Sequence, residues 1–449
     1  MRRLEALPVP TGDAVLGLLS RLARALAGAG PALLPVPGGE RPPAGLAAGE
    51  PLATGEDDEA DPTAFVVATS GSSGAAKGAL LPASALLASA RATRSFLVGD
   101  DPRPAHWLLA LPAHHVAGLQ VLLRSVVDGT TPTVLDTSRP FTAERFTAAA
   151  EATPGPIRFV SLVPTQLQRV LADAAATAAL AGFDAVLLGG APAPPALRQR
   201  AADAGVRVVT TYGMSETCGG CVYDGQPLAG VTVSTDGGGR IALAGPVVAR
   251  GYRGRPGDPA FDVDDAGRRR FRTEDIGEFV GEFVGADRAE NRLADQQTGA
   301  GPVPDGRTGG HGIVAGAGRS GRWRVLGRID DVLITGGVKI APAAVEATLS
   351  AVPGIADVVL TGVPDAEWGQ RLVAVIVPDS GRPGTAPQTE AVRAAVRAGH
   401  GAAAVPRAIV LVDGLPLRGP GKPDRAAIRQ LAIHAAARQG TVVDLRTTG

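Results

Sequence analysis

The chain predicts an α/β fold with a second, smaller α+β domain, and three observations lead there. Short runs rich in β-branched residues alternate with alanine-rich helical runs, the pattern of a sheet layered by helices. One such run, AFVVAT at 64–69, feeds directly into a glycine- and serine-rich stretch at 70–78. After about residue 328 the alternation begins again, following some 40 residues of little periodicity. These place a boundary between a large domain, 1–328, and a small one, 329–449.

In chain order, DAVLGLLSRLARALAG at 13–28 has apolar residues at helical spacing, and a Pro/Gly-rich connection through about residue 62 reads as a loose linker. AFVVAT reads as a buried strand, the Gly/Ser stretch as a turn and the segment beyond it as a helix. Further strands are expected at HWLLALP, TPTVLD, IRFVSLVP, FDAVLLGG and RVVTTYG, with a helix at FTAERFTAAAEA. Residues 281–322 are glycine-rich and aperiodic, so an exposed, mobile insertion is expected there, either a lid or plain disorder. The small domain then offers the strand DVLITGG, the helix PAAVEATLSAV, the strands IADVVLTGV and RLVAVIVP, and another alanine-rich helix.

Composition narrows the function. With 45% hydrophobic residues in 449, large cores can be buried. Lys+Arg and Asp+Glu both total 44, so no overall charge steers the molecule to nucleic acid or an anionic membrane, and small molecules are the expected partners. Two cysteines make no disulfide framework, the start MRRLEALPVP lacks an apolar h-region, and no apolar run reaches the roughly 20 residues of a membrane span. A cytoplasmic protein without membrane insertion is expected.

Only three of the 44 basic residues are lysines, Lys77, Lys339 and Lys422. A lysine kept in so arginine-rich a chain marks places where a compact, flexible ammonium does what a guanidinium fork cannot. Around the first, Thr69, Ser70, Gly71, Ser72, Ser73, Gly74 and Lys77 suit the wrapping of anionic oxygens, because glycines let backbone N–H groups converge while hydroxyls and the ammonium add donors. The spacing is not that of a Walker loop, and a flexible turn is the plain alternative. His114 and His115 follow a proline stop and precede Gly118, which suits a turn presenting a side chain into a cleft. No acidic or cysteine ligand lies nearby at metal-binding spacing. Gly189, Gly190 and Ala191 follow a strand at the sheet edge where open α/β folds bind ligands. In TYGMSET, Tyr212 offers a ring for stacking on a base, near hydroxyls and one carboxylate, Glu216, suited to magnesium. Asp275 could accept both hydroxyls of a ribose, although an exposed acidic turn looks similar.

Taken together and in this order, these segments resemble the adenylate-forming superfamily of acyl-CoA synthetases, luciferases and adenylation domains, from about Phe65 to Lys422. The resemblance implies a large multi-layer α/β domain, a small mobile C-terminal domain, and ATP, Mg2+ and coenzyme A as reactants and cofactors. By it, the loop around Lys77 holds the ATP phosphates, Thr217 contacts phosphate and Glu216 binds magnesium. Gly190, Ala191, Tyr212 and Gly213 frame adenine, Asp275 and Arg328 hold the ribose, and Asp330 is the hinge. Lys422 is the catalytic lysine of the first half-reaction, His115 packs or gates at the cleft, and Gly336 and Gly337 line the pantetheine path. Lys339 is left between a coenzyme A or interdomain contact and plain exposure. LPAHHVAGLQ and TYGMSETCGGCVYDG are most similar to the o-succinylbenzoate:CoA ligases of menaquinone biosynthesis. That narrower likeness puts Gly219 and Gly220 beside an aromatic acid and offers Arg124 for its second carboxylate. Ala76 stands where the superfamily commonly has proline, and Glu274 where it has the glycine of a TGD triplet.

Overall fold

The computed structural model describes residues 2–69, 76–282, 313–315, 320–329, 331–379, 388–418, 422–436 and 442–446. The alternation read from the sequence is there, with two corrections near the start. β1 (Leu4–Val9) and β2 (Ala32–Pro37) are strands, so the stretch expected to be a linker carries a core strand. Prolines concealed it, since they fit poorly into a ladder. β2 pairs with β3 (Thr63–Thr69) only at Leu33↔Phe65, so Pro35 and Pro37 fall outside that pairing. The expected helix begins as a 3-10 turn, Gly12–Leu18, and continues as α1 (Leu19–Leu26), burying Val15, Leu22, Ala25 and Leu26.

The second correction concerns Lys77. The segment after the glycine-serine stretch is not a helix but β4 (Lys77–Pro82), antiparallel to β3 with Thr69 opposite Lys77. The next element after β3 is therefore a second strand paired with it, and residues 70–75 between the two lie outside the described residues. Only then does α2 (Ala83–Val98) begin. The four strands form one sheet in the order β1-β2-β3-β4.

The central sheet holds the remaining expected strands: β5 (His106–Leu109), β6 (Thr133–Val134), β7 (Arg158–Leu162), β8 (Ala185–Leu188) and β9 (Val208–Met214), all parallel. β10 (Gly219–Tyr223) returns antiparallel to β9, and β11 (Gln226–Pro227) closes the edge. Their apolar runs are buried on both faces, with α3 (Val116–Asp128) among the covering helices. The loops after β5, β7, β8 and β9 leave at one edge, which brings His115, Val163, Gly190 and Tyr212 to the same side of the sheet.

An antiparallel sheet follows, built from β12 (Thr232–Thr235), β13 (Arg240–Ala244), β14 (Phe261–Val263), β15 (Arg269–Glu282), β16 (Ile313–Ala315) and β17 (Ser320–Arg328). Strands thus enter the expected insertion from both ends, and most of 281–322 lies outside the described residues. The small domain opens on the hairpin β18 (Leu333–Thr335) and β19 (Val338–Ile340), whose two-residue turn is Gly336-Gly337 with φ of 55° and 79°. Paired positive φ values suit a tight hairpin and explain the double glycine. β20 (Ile355–Asp365), β21 (Gly369–Pro378), β22 (Ala408–Leu411) and the last strand, Val442–Asp444, form its main sheet in that order. One face buries Val345, Leu360, Ala374 and Val396, and the other Val359, Val373, Val410 and Ile428. β23 (Leu417–Arg418) and β24 (Lys422–Pro423) make a last short hairpin.

Candidate active site

The turn between β9 and β10 is the densest point of the site. Gly213 faces Gly219 so closely that a Cβ on Gly213 would lie 2.1 Å from the Gly219 carbonyl oxygen. Ser215–Thr217 form a single 3-10 turn, and Cys218 takes a left-handed conformation at φ 55°. The Cys218 carbonyl is held by Gln120 Nε2 at 2.6 Å and Ser89 Oγ at 3.2 Å, which offsets the strain of a residue other than glycine there. The Thr217 hydroxyl is spent inside the turn: its one proton is shared between the Gly219 carbonyl at 2.7 Å and the Met214 carbonyl at 3.1 Å, and its oxygen accepts from the Met214 amide at 3.0 Å. Thr217 is fully buried. The structure therefore corrects the expectation that Thr217 meets phosphate, because its oxygen faces backbone. Ser215, the first residue of the same turn, is half-buried where Thr217 is fully buried.

Glu216 is buried, and its Oε1 accepts a hydrogen bond from the Tyr252 hydroxyl at 2.7 Å. Burial pushes this carboxyl up, against the Tyr252 bond and the Lys77 charge, while Glu274 adds a further upward push. The ammonium of Lys77 stands 5.0 Å from the centroid of the Tyr252 ring. Lys77 and Glu216, expected to serve one nucleotide, are thus joined through a tyrosine that sequence reasoning missed. A signal for it existed: the chain has three tyrosines, as it has three lysines, and Tyr252 follows a glycine and precedes Arg253-Gly254.

Tyr212 and Asp275 are also brought together. The phenol donates to Asp275 Oδ2 at 2.7 Å, and burial, then the Asp275 charge, hold its proton on well above the ordinary tyrosine range. The Asp275 amide donates to Thr273 Oγ1 at 3.0 Å, a local bond within β15. Asp275 lies opposite Arg328 in the β15–β17 register, but the Arg328 guanidinium forms an ion pair with Glu274. The acidic residue that departs from the superfamily pattern thus engages the arginine expected at the ribose.

Gly190 takes φ 81°, and a Cβ there would meet Val163 at 3.3 Å, so the Gly189–Ala191 turn lies close over the loop after β7. His115 is the exposed N-cap residue of α3, with its ring 4.2 Å from that of His114. Gly118 lets the helix pass the preceding loop, since a Cβ there would lie 2.4 Å from the Pro112 carbonyl. Gly220 backs onto Tyr223 and Thr211, and a Cβ at this position would come within 2.9 Å of the tyrosine ring. Gly336 lies against the Trp368 ring.

Arg124 is not brought to this edge. It lies nine residues beyond the N-cap of α3, roughly 13 Å along the helix, and is buried. Its guanidinium stacks over Trp107 at 5.0 Å and donates to the hydroxyls of Thr93 and Tyr223 at 3.2 and 3.3 Å. The structure thus places it in the core between α2, α3 and β10. Ser70, Gly71, Ser72, Ser73, Gly74 and Asp330 lie outside the described residues, and Lys422 is described through its backbone, opposite Arg418. Cys218 and Cys221 are buried thiols pushed up by burial, that of Cys221 to about 12, so neither is a ready thiolate. Among the described residues no group of three or more His, Cys, Asp or Glu could hold a metal.

A single buried carboxylate beside a lysine fits magnesium that is held mostly by nucleotide phosphates and water, the usual way this ion is bound. A phenol near the end of the parallel strand β9, bonded to a carboxylate on the antiparallel strand β15, fits a nucleoside. The arrangement can hold a nucleoside triphosphate with its base near Tyr212 and its phosphates between Lys77 and Glu216.

Known proteins point the same way. The family model for AMP-binding enzymes matches residues 32–253, and that for the AMP-binding enzyme C-terminal domain matches 344–422. A probable 2-succinylbenzoate–CoA ligase of Mycobacterium tuberculosis is 41% identical over 433 residues, 96% of this chain and 100% of that protein. A 2-succinylbenzoate–CoA ligase of Geobacillus kaustophilus is 29% identical over 347 residues, 72% of this chain and 61% of that protein. Among solved structures, o-succinylbenzoate CoA synthetase from Bacillus subtilis in complex with its acyl-adenylate intermediate has a TM-score of 0.64 at 20% identity, covering 96% of this chain and 89% of that one. ATP-bound MatB from Rhodopseudomonas palustris reaches 0.69 at 21% identity over the same shares. At such identities these structures show a shared fold.

Proposed function

This chain belongs to the AMP-binding enzyme family, and we propose that it is an ATP-dependent acid–thiol ligase that converts o-succinylbenzoate to o-succinylbenzoyl-CoA through an acyl-adenylate. The observation that carries the reading is the end-to-end match, at 41% identity, to a relative of that name. The Lys77–Tyr252–Glu216 arrangement supports it. A cytoplasmic place in menaquinone biosynthesis goes with this reading, and no helix among the described residues is long and apolar enough to cross a membrane.

In the first half-reaction a substrate carboxylate attacks the α-phosphorus of ATP and pyrophosphate leaves. Two anions must meet, so the residues around them have to supply positive charge where it develops. Lys77 faces the phosphates from the β3–β4 hairpin, and Lys422, on the small domain, is assigned to the reacting oxygens. Glu216 would hold magnesium, which when bound offsets phosphate charge. Tyr212 and Asp275 orient the nucleoside. The thiol of coenzyme A, which reaches the acyl-adenylate past the Gly336-Gly337 turn, then attacks its acyl carbonyl: the carbon–sulfur bond forms as the acyl–phosphate bond breaks, the thiol proton is lost and AMP leaves. Gly219 and Gly220 leave room for an aromatic acid beside the backbone. Glu274 must release or share Arg328 if that arginine is to reach the ribose.

The test is thioester formation with ATP, magnesium and coenzyme A, comparing o-succinylbenzoate with benzoate and with short- and long-chain fatty acids. Selective turnover of o-succinylbenzoate is expected, with adenylation falling by about 10²–10³ in Lys422→Ala, the loss typical of removing one charge-stabilising group. Turnover of a different acid keeps the chemistry and rejects the substrate; no turnover with any acid rejects both.

A further inference from the structure

Tyr252 serves two partners at once. Its hydroxyl donates to Glu216 Oε1 at 2.7 Å, and its ring lies 5.0 Å beneath the Lys77 ammonium. Tyr252 is only 4% exposed, and its ring is fixed edge-on against Phe261, with centroids 5.0 Å apart and planes at 84°. Phe261 in turn packs on Phe271 of β15.

The backbone around Tyr252 is tied to the same two places. The Arg250 and Arg253 amides donate to the Leu80 and Gly78 carbonyls of β4, both at 2.8 Å, and the Leu80 amide donates to the Gly251 carbonyl at 2.9 Å. The Ala249 amide donates to the Glu216 carbonyl at 2.8 Å. Residues 249–253 therefore act as a strap with one end on the Lys77 strand and the other on the turn that carries Glu216. Gly78 is part of this fit, because a Cβ there would lie 2.7 Å from Val66 and 3.3 Å from Arg253.

From this geometry we propose that Tyr252 is a positioning residue for the metal–nucleotide complex: its hydroxyl occupies one oxygen of Glu216 and turns the other toward the cation, while its ring face steadies the Lys77 ammonium for the phosphates. The proposal rests on the reading of this site as one for ATP and magnesium. A carboxylate with one oxygen anchored by a neutral donor keeps its charge and loses its rotational freedom, the state a single-carboxylate metal site requires. The ring contributes separately, since an ammonium over a desolvated aromatic face is attracted by the ring quadrupole without being neutralised. A salt bridge to Lys77 would hold it as firmly but would cancel the charge that phosphate needs.

The two functions come apart in two variants. Tyr252→Phe keeps the ring and removes the hydroxyl; Tyr252→Leu removes both. ATP affinity is measured by calorimetry with and without magnesium, in wild type, in each variant, and in Glu216→Gln with and without Tyr252→Phe. In wild type, magnesium strengthens ATP binding. In Tyr252→Phe that enhancement falls about tenfold while magnesium-free affinity stays within twofold. In the Glu216→Gln background Tyr252→Phe has no further effect, because its action runs through the carboxylate. Tyr252→Leu additionally weakens magnesium-free ATP binding several-fold. An unchanged magnesium enhancement in Tyr252→Phe, or an equal loss in both Glu216 backgrounds, overturns the proposal. Wild type that binds ATP without any response to magnesium rejects instead the reading of the site. Should Tyr252→Leu not fold, Tyr252→Phe alone decides the proposal, through the hydroxyl's effect on the magnesium enhancement.

Discussion

Two hydroxyls two residues apart do different work at the head of β10, and burial separates them. Thr217 has its hydroxyl engaged by three backbone groups inside the turn, whereas Ser215 is only half-buried. Thr217→Val keeps the shape and deletes the bonds, leaving buried backbone groups short of a partner. It is expected to lower unfolding free energy by about 1–3 kcal/mol, read by urea titration, with the KM for ATP changed less than threefold. Ser215→Ala should do the reverse, leaving stability within about 0.5 kcal/mol and raising the KM for ATP several-fold. If the two exchange these effects, the turn has been assigned backwards. The sequence showed that a hydroxyl and a carboxylate were needed here, but not which hydroxyl faces inward, because direction in a one-turn helix is set by the β9–β10 register. Scarcity was the better guide. Lys77 stands out because lysines are few, and the same scarcity among three tyrosines points to Tyr212, bonded to Asp275, and Tyr252, bonded to Glu216.

At the level of elements, alternation of β-rich and alanine-rich runs was enough to find β3, β5 through β9, and the main strands of the small domain. It failed where strands contain proline, at β1 and β2, and where a strand was expected to be followed by a helix but is followed by its pairing partner, at β4. Neither failure could be repaired from local pattern, since pairing partners decide both. The Tyr252 strap shows the same dependence on distant contacts. Its base is the buried pair of Glu56 and Arg253, with Glu56 also accepting from the amides of Gly254 at 2.5 Å and Ala53 at 2.7 Å. Burial alone would raise the Glu56 carboxyl, but these amides and Arg253 outweigh it and hold the group below its ordinary value of 4.5. A depressed native value means that Glu56 adds stability above about pH 4.5 and loses it as the pH falls further. Glu56→Ala strands Arg253 in the interior and is expected to cost about 3–5 kcal/mol at pH 7. The gap between variant and wild type should narrow in denaturation curves taken below about pH 4; a gap independent of pH would mean that packing, not the charge, is what Glu56 supplies.

On the scale of the whole molecule, the reaction proposed above would have the small domain deliver Lys422 and then withdraw it, which requires the lysine, the proposed hinge and the domain core to move as one piece. Arg425 provides that connection. It lies three residues beyond Lys422, at the start of the helix Arg425–Ala436. Its Nη1 and Nη2 each reach Glu346 at 3.0 Å, a bidentate grip on the helix Pro342–Leu349, and its Nε reaches Asp331 at 3.2 Å. Asp331 adjoins the expected hinge position, and Glu346 also accepts from the Leu360 amide at 2.9 Å, so the grip extends into β20. Arg425→Met keeps the apolar stem and removes the fork. Glu346 is then left nearly buried without its cation, and the small domain should lose about 2–4 kcal/mol. The sharper consequence is kinetic. Adenylation needs Lys422 held at one orientation and should slow about tenfold, since small errors of placement are costly. Thioester formation from supplied acyl-adenylate does not use Lys422 and should stay within twofold. Single-turnover measurement of the two half-reactions separates these outcomes, and equal slowing of both would show that Arg425 supports the domain as a whole rather than the path from hinge to lysine.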